Sequence, residues 1–324
     1  MKSVEELRRQ IEGCELQHPA YMKIFTALKS RIEDARDGYA ARIECVVGPS
    51  RVGKTMLINT LQRVNPEVKV NGIRHVPVLV VPILPNISPL MLPLSVLTAL
   101  GVPLSQRGST TGVLFNRMID QLRLAKTQAL LFEEASQLVE PGAKVLSRAA
   151  ADWFKSLSDT LNITLILFGV PRLERLFQSN EQLRLRGSAK REFRPYDFRI
   201  PREQVDFASC VRTYAEMFRD AGWPIDLPLD RLVPQCYLLS GGLIGVLSHF
   251  MQELASQLVY QSPRSLTLQD CHAAAIAIEA AGHPDFPAFM RADAAAIELN
   301  LAHAHVLETN SMSVRTIVVP QGVK

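Results

Sequence analysis

Gly48-Pro-Ser-Arg-Val-Gly53-Lys54-Thr55 is the stretch that decides the fold of this chain. It has the pattern Gly-x-x-x-x-Gly-Lys-Thr and lies between an apolar run at 43–47 and a helical pattern that begins at Met56. A strand, a glycine loop and a helix in this order wrap a row of phosphates with backbone N–H groups. The alternative is a glycine-containing turn that matches by chance. The sequence predicts that the chain binds a nucleoside triphosphate.

Two side chains of this loop have expected roles at the triphosphate. The Lys54 ammonium reaches the β- and γ-phosphates, and the Thr55 hydroxyl is a ligand of Mg²⁺. ATP and Mg²⁺ are therefore the expected ligands. The predicted nucleotide-binding residues are Gly48, Pro49, Ser50, Arg51, Val52, Gly53, Lys54, Thr55 and Met56.

Two acidic residues, Glu133 and Glu134, follow the apolar run at 129–132. A phosphate-loop enzyme needs one carboxylate at such a strand end for the Mg²⁺ shell and a second to polarise the attacking water. By position, Glu133 takes the metal role and Glu134 the catalytic role. Aspartate is more usual at the first position, and the side chain of Glu133 is longer than aspartate by one methylene group. The alternative is a pair of solvated glutamates after a strand.

Short apolar runs alternate with helical patterns up to about residue 200. Continuous apolar runs of this length are typical of parallel strands buried on both faces, so the pattern predicts the α/β class with a three-layer αβα core. The predicted strands are at 43–47, 76–82, 129–132 and 163–168, and the helices among them at 89–100, 110–126 and 145–161. Only helical patterns follow, at 204–221, 228–239, 243–260 and 266–281.

This pattern predicts four parts along the chain. They are an N-terminal helical segment at 1–40, a nucleotide-binding α/β core at 41–200, a small all-helical lid at 201–282 and a partly extended C-terminal tail at 283–324. We expect His303 and His305, in the tail, to be solvated. The β-prone segment 314–319 is interpreted as either a partner-binding peptide or a frayed terminus.

Composition excludes several classes of protein. Charged residues make up 21% and hydrophobic residues 47%, which is globular rather than disordered. No apolar run approaches the roughly 18 residues that span a bilayer, and the charged N-terminus lacks the apolar core of a signal peptide. The five cysteines include no C-x-x-C pair and are expected to be buried, reduced thiols. We therefore expect a cytoplasmic protein with no membrane partner.

The strand predicted at 163–168 ends in Gly169. Many ATPases of this architecture have asparagine, threonine or serine there to orient the attacking water, and glycine has no side chain for that role. Thr164 lies inside the strand and is expected to be a packed polar residue. The sequence therefore indicates that this part of the catalytic site is weak or missing.

A basic stretch at 172–202 contains nine basic and four acidic residues, against a net charge of +4 for the whole chain. Three interpretations stay open. It is a solvated charged face, a nucleic-acid surface, or the source of an arginine that completes the ATP site of a neighbouring subunit. Arg184 and Arg186 lie between a helix predicted at 171–178 and a strand predicted at 193–200.

Taken together, these segments resemble the AAA+ superfamily, and most closely its transposition regulators of the TnsC and TniB type. The resemblance covers about residues 15–280. It is carried by GPSRVGKT at 48–55, LLFEE at 130–134, LFGVPRLERLF at 167–177, NEQLRLR at 180–186 and SGGLIGVL at 240–247.

The resemblance implies an ATP-dependent protein that assembles as a ring or filament around double-stranded DNA. Such proteins link a target-selection protein to transposase subunits. Arg186, with Arg184 as second choice, would be the arginine finger, and Arg107, Lys144 and Arg148 would face the DNA. AAA+ proteins often have an arginine in the lid after a glycine-rich turn, but residues 241–249 contain none.

Three departures, at Glu133, at Gly169 and in the arginine-free lid turn, indicate slow hydrolysis that controls disassembly. Two other functions remain open. One is a secretion-associated ATPase of the ExeA type, against which the lack of a membrane-spanning segment counts. The other is a regulatory NTPase switch that does not bind DNA. ATP-dependent binding to random-sequence duplex separates these possibilities.

Overall fold

The computed structural model describes residues 3–103, 110–187 and 190–315. The strands are β1 (Ile43–Val47), β2 (Val68–Val70), β3 (Ile73–His75), β4 (Val78–Pro82), β5 (Ala129–Glu133), β6 (Thr164–Gly169) and β7 (Arg191–Glu192). The helices are α1 (Val4–Glu12), α2 (Pro19–Arg36), α3 (Lys54–Val64), α4 (Met91–Ala99), α5 (Thr111–Leu124), α6 (Ser147–Leu161), α7 (Glu174–Gln178), α8 (Glu181–Arg186), α9 (Pro201–Asp220), α10 (Leu229–Ser240), α11 (Ile244–Ser256), α12 (Leu268–Ala277) and α13 (Ala296–Thr309). Two short 3₁₀ helices lie at Ala135–Val139 and Pro171–Leu173.

These elements form two compact units that interleave along the chain. The sheet unit comprises Ala20–Ser50 and Lys54–Phe193, and the helical unit comprises Met1–Pro19, Arg51–Gly53 and Arg194–Lys324. Helices α1 and α2 therefore belong to different units. The four-part domain organisation, which runs in simple chain order, stays a prediction.

The sheet unit is built on a five-stranded parallel sheet in the order β4-β5-β6-β1-β7. Strands β1 and β6 are buried along their whole length, which confirms the interpretation of their continuous apolar runs. Strand β4 lies at an edge of the sheet, where its prolines are tolerated because an edge strand has unpaired positions. Because the strands are parallel, the carboxyl ends of β1 and β5 lie at the same end of the sheet. That end receives both the phosphate loop and the acidic pair.

Helix α6 is the crossover between β5 and β6, as predicted. Its buried face includes Phe154, which contacts Phe132 of β5 edge to face at 5.0 Å between ring centroids. Fully burying side chains of this size stabilises the fold by about 1.5–3 kcal/mol each. This packing fixes β5, and with it the position of the acidic pair.

A buried ion triad fixes the other side of the sheet. The Glu44 carboxylate, on β1, is fully buried and accepts hydrogen bonds from Arg31 at 3.0 Å and Arg191 at 2.9 Å. It joins α2 and the short strand β7 to the centre of the sheet. Only the carboxylate is fully buried, since the Arg31 and Arg191 side chains are partly exposed, so the loss of either arginine would leave the Glu44 charge less well compensated.

The structure corrects the strand predicted at 193–200, because β7 contains only Arg191 and Glu192. From Arg194 onward this segment belongs to the helical unit. Tyr196 contacts the rings of His18 and Phe207 there, and Phe198 stacks on Tyr237 at 3.7 Å. Their burial comes from packing on helices rather than from pairing in the sheet.

The helical unit contains the four predicted lid helices as α9 to α12, with α11 and α12 ending about four residues earlier than predicted. Helix α1 packs on α9 and α11 of this unit. The five cysteines are free thiols, four of them buried and Cys14 half-buried. Among the described residues no single helix is long and apolar enough to cross a bilayer, and α10 with α11, bent by 112°, reaches that length only as a pair.

The prediction of a partly extended tail at 283–324 is wrong at 296–309, which is helical. Helix α13 occupies Ala296–Thr309 and packs on α10 with Leu299, Ala302, Val306 and Leu307 buried. His303 is buried rather than solvated, and its Nδ1 donates to the carbonyl oxygen of Gly241 at 3.0 Å. The segment 314–319 lies outside the described residues from 316 onward, so its partner-binding role stays a prediction.

Candidate nucleotide site

The phosphate loop leaves β1 after Val47 and enters α3 at Lys54. The Lys54 side chain is buried, and its Nζ donates to the carbonyl oxygens of Gly48 at 2.9 Å and Pro49 at 2.8 Å. Both acceptors belong to the loop itself. The ammonium group therefore lies within the curve of the loop, where a phosphate-binding lysine is needed.

The charge of Lys54 is poorly compensated by the protein. Burial lowers the pKa of this ammonium group to about 8, while the nearby carboxylates of Glu134 and Glu133 oppose the shift. With a pKa near 8 the group is still mostly protonated at neutral pH. A phosphate group would supply the missing negative charge, so the position fits an anionic ligand.

The two predicted magnesium ligands lie together. Thr55 Oγ1 donates to Oε1 of Glu133 at 2.7 Å. A hydroxyl and a carboxylate are the hard oxygen donors that Mg²⁺ prefers, so the residues present fit this ion. Among the described residues no three His, Cys, Asp or Glu side chains form a metal site, so the remaining ligands would be phosphate oxygens and water.

Glu134 has a left-handed backbone conformation, with φ 55° and ψ 34°. For a residue other than glycine this costs of order 1–3 kcal/mol, and such residues cluster at active sites. The chain turns sharply here from β5 into the 3₁₀ helix. As a result Glu133 stays half-buried beside Thr55, whereas Glu134 is exposed.

The end of β6 is tightly packed at Gly169, where a water-orienting side chain would attach. A Cβ atom at Gly169 would lie 3.0 Å from the backbone nitrogen of Ser136 and 3.1 Å from its Cβ. Ser136 is buried, and its hydroxyl lies 3.5 Å from the backbone nitrogen of Val170. Ser136 was not among the predicted site residues, although it lies only two residues after Glu134. Thr164 is buried and donates to the Arg31 carbonyl at 3.2 Å, as expected of a packed residue.

The candidate arginine fingers both lie on α8, outside the Lys54–Glu133 cluster. Arg186 forms an ion pair with Asp159, and Arg184 lies 3.7 Å from Glu181. Both side chains are exposed. Their action on a neighbouring subunit stays a prediction.

The candidate DNA-contacting residues are only partly described. Lys144 and Arg148 are exposed on either side of Leu146, whose side chain is 78% exposed. Arg107 lies outside the described residues. Their contact with DNA stays a prediction.

Most charges of the basic stretch have partners inside the protein. The guanidinium of Arg194 donates to the Ser313 carbonyl. The cations paired with carboxylates are Arg172, Arg184, Arg186, Lys190, Arg191 and Arg199. Internal pairing favours the interpretation of 172–202 as a charged structural face, and weakens its interpretation as a nucleic-acid surface.

The glycines of the segment 240–247 allow close backbone contacts within the helical unit. A Cβ at Gly242 would lie 2.1 Å from the carbonyl oxygen of Tyr196, and a Cβ at Gly245 would lie 2.4 Å from that of Arg51. The Arg51 guanidinium donates to Nδ1 of His249 on α11 at 2.7 Å. Sequence reasoning did not identify His249, because nothing in its spacing links it to residue 51.

Comparison with known proteins gives a family and a fold. The family model described as bacterial TniB protein matches residues 11–194. A search of curated proteins finds no match. Among solved structures, the ORC2 protein of Aeropyrum pernix, solved with ADPNP and ADP, aligns with a TM-score of 0.62 and 13% identity over 86% of this chain and 73% of that one.

Two further structures show the same likeness. The Aeropyrum pernix ORC1 protein in complex with DNA gives a TM-score of 0.57 and 15% identity over 86% of this chain and 71% of that one. Cdc6p from Pyrobaculum aerophilum aligns with a TM-score of 0.59 and 10% identity over 80% of this chain and 67% of that one. Likeness at such low identity shows the fold alone. It confirms the predicted mostly parallel sheet with flanking helices and a helical region after it.

Proposed function

Because the chain belongs to the TniB family of AAA+ ATPases, we propose that it is an ATP-dependent regulator of DNA transposition. It assembles as a ring or filament on double-stranded DNA, without sequence preference. In that assembly it links a target-selection protein to transposase subunits.

The observation that carries this proposal is the cluster at the carboxyl end of the sheet. The buried ammonium of Lys54 and the Thr55–Glu133 contact provide a cation and two oxygen ligands at the predicted triphosphate position. The cluster supports nucleotide binding, and the family supports transposition as the process that uses it.

Each residue has a task in the proposed reaction. Lys54 binds the phosphates and stabilises the charge that develops on them. Thr55 and Glu133 would hold Mg²⁺, which would supply Lewis-acid neutralisation of the phosphate charge. Glu134 accepts the proton of the attacking water. Arg186 or Arg184 of a neighbouring subunit completes the site, so hydrolysis depends on assembly.

Hydrolysis is expected to be slow and regulatory. Gly169 provides no polar side chain to orient water, and the lid turn provides no arginine. Loss of one oriented polar group costs about 10²–10³ in rate, whereas nucleotide binding depends mainly on the loop. ATP would then act as an assembly signal, and its hydrolysis would control release from DNA.

Electron microscopy of the protein with duplex DNA and a non-hydrolysable ATP analogue tests the proposal. A ring or filament that encloses DNA supports it, and nucleotide binding without any ATP-dependent binding to DNA contradicts it. Fluorescence anisotropy with random-sequence duplex over a salt series gives a second readout. Phosphate-backbone binding predicts steep salt dependence and no sequence preference.

The same measurements address the two other candidate functions. A regulatory switch that does not use DNA would bind ATP and show no assembly on duplex. A secretion-associated ATPase would require a membrane partner instead of DNA, so vesicle co-sedimentation that exceeds duplex binding would favour it. Either result would replace the transposition proposal.

A further inference from the structure

We propose that Arg51 is a positioning residue through which Gly245 and His249 preset the conformation of the phosphate loop for nucleotide. Gly245 and His249 of the helical unit hold Arg51 in an unfavourable backbone conformation, and the loop geometry depends on that hold. The inference rests on the nucleotide site proposed above. It gives the glycine segment 240–247 and His249 an indirect role in nucleotide binding, through the conformation of Arg51.

The backbone of Arg51 carries the first observation. Its φ is 61°, in the left-handed region that favours glycine. A residue with a Cβ persists there only when its surroundings enforce the conformation. The conformation of residue 51 sets the direction of the following N–H groups, those of Val52 and Gly53, which a phosphate loop turns toward its ligand.

The backbone contact with α11 supplies part of this constraint. The N–H of Gly245 donates to the carbonyl oxygen of Arg51 at 2.8 Å. A Cβ at residue 245 would lie 2.4 Å from that oxygen and 3.1 Å from the Arg51 Cα, so only glycine allows the approach. The start of α11 is therefore fitted to the backbone of residue 51.

The side chain of Arg51 supplies the rest of the constraint on its backbone conformation. Its Nη1 lies 2.7 Å from Nδ1 of His249. A guanidinium has no acceptor, so Nδ1 accepts and the imidazole proton lies on Nε2. A second contact, from Nη2 to Glu279 at 3.4 Å, involves a carboxylate that is 87% exposed and adds little. The half-buried His249 is therefore the main anchor of the side chain.

This arrangement gives Arg51 a different role from that of the lysine three residues later. Lys54 lies within the curve of the loop, whereas the Arg51 guanidinium is held by α11 and by Glu279. The contacts of the Arg51 side chain thus stay within the helical unit. On this proposal nucleotide affinity depends on His249 through the backbone of Arg51, without a contact between His249 and the nucleotide.

Paired substitutions separate positioning from direct contact. Arg51→Ala removes the anchor but keeps a Cβ in the left-handed conformation, whereas Arg51→Gly removes the anchor and the strain together. His249→Ala removes the acceptor, and His249→Asn replaces it with an amide oxygen at a similar position. The readouts are the dissociation constant of a fluorescent ATP analogue, the KM for ATP and kcat, measured on the full chain.

We expect Arg51→Ala and His249→Ala each to weaken nucleotide binding about tenfold, the order of magnitude of a lost backbone constraint. Arg51→Gly and His249→Asn should stay within about threefold of the wild type. KM should rise by more than kcat falls. The control is Arg219→Ala on α9, which removes an exposed arginine beside Asp220 and should leave affinity unchanged.

Two patterns would overturn the inference. Equal loss of affinity in Arg51→Ala and Arg51→Gly, with His249→Ala unaffected, would make Arg51 a direct nucleotide contact. Lower melting temperatures with unchanged affinity in all four variants would make the contacts merely structural. Failure of the wild type to bind nucleotide would remove both proposals, whereas nucleotide binding without DNA binding would contradict only the proposed function.

Discussion

At the scale of single residues, backbone conformation gives two adjacent glutamates different surroundings. Glu133 continues β5 and contacts Thr55, whereas the left-handed turn at Glu134 leaves its carboxylate exposed. A carboxylate that is not tied to the metal ligands can accept a proton from water. The pair therefore has the asymmetry that two separate roles require.

Glu134→Gln should separate binding from hydrolysis. The amide cannot act as a base, so the ATP turnover rate should fall by about 10²-fold or more, within the usual range for a general base. Nucleotide affinity should stay within about threefold, because the Lys54 and Thr55 contacts remain. Phosphate release and nucleotide titration measure the two effects. Unchanged turnover would remove Glu134 from the reaction.

His18 should make stability depend on pH. It is 6% exposed, its Nδ1 lies 2.7 Å from the Tyr196 hydroxyl, and burial lowers its pKa to about 4. The unfolded chain, with a histidine pKa near 6.5, binds the proton more readily than the folded chain. Stability is therefore complete above about pH 6.5 and falls by about 3 kcal/mol as the pH drops through 4.

The measurement is the free energy of unfolding in urea at pH 8 and pH 4.5 for the wild type and His18→Gln. Glutamine does not titrate, so the variant should lose about 2–3 kcal/mol less between the two values. At pH 8 both side chains are neutral, and any difference there reports packing alone. An equal loss in both proteins would show that other groups cause the acid sensitivity.

Single residues show where sequence reasoning reaches its limit. The positions of Lys54, Thr55 and Glu133 followed from a local motif, and the structure places the three at one end of the sheet. His303 was expected to be solvated because it lies in the segment interpreted as a tail. Its burial depends on a partner, the Gly241 carbonyl, that is 62 residues away in the chain.

At the scale of secondary structure elements, one missed hairpin had a readable signal. Strands β2 and β3 pair antiparallel around Asn71 and Gly72, both with positive φ. Asn-Gly between short β-prone segments is the strongest short-range hairpin signal. Both strands are largely exposed, so neither contains the buried apolar run by which the other strands were predicted.

Helix α13 gives an element-scale prediction. Leu307 is 1% exposed and Leu301, on the same helix, is 40% exposed. Leu307→Ala should lower the free energy of unfolding by about 2–5 kcal/mol, and Leu301→Ala should change it by less than about 1 kcal/mol. Urea unfolding followed by circular dichroism measures both. Equal effects would mean that α13 is not docked in solution.

At the scale of the whole molecule, the division into units could not be predicted from the sequence. Helices α1 and α2 follow each other in the sequence and were therefore predicted as one N-terminal segment at 1–40. The apolar face of α1, with Leu7 and Ile11, instead packs on α9 and α11, which begin about 190 and 230 residues later. Nothing local to residues 1–19 indicates which unit supplies that surface.

With a net charge of only +4, the proposed DNA binding requires local basic patches. In the double variant Lys144→Ala, Arg148→Ala, the slope of log affinity against log salt should decrease by about 2, because each cation that contacts phosphate releases about one counterion. The matched control is Arg219→Ala together with Arg231→Ala, two exposed cations of the helical unit that are paired with carboxylates.

Anisotropy of labelled duplex between 50 and 300 mM salt, about the range in which counterion release is resolved, gives the slopes. An unchanged slope in the Lys144, Arg148 variant would show that this loop does not contact the phosphate backbone. A smaller slope in the control would instead reveal a contact on the helical unit.

The place of α1 in the helical unit has a consequence for biosynthesis. The ribosome makes α1 before α9 and α11, on which it packs and which begin about 190 and 230 residues later. At 5–20 residues per second this delay is about 10–45 s. During that interval the sheet strands are completed while the apolar face of α1 has no native partner. The nascent chain therefore exposes this apolar face until α9 and α11 have been made.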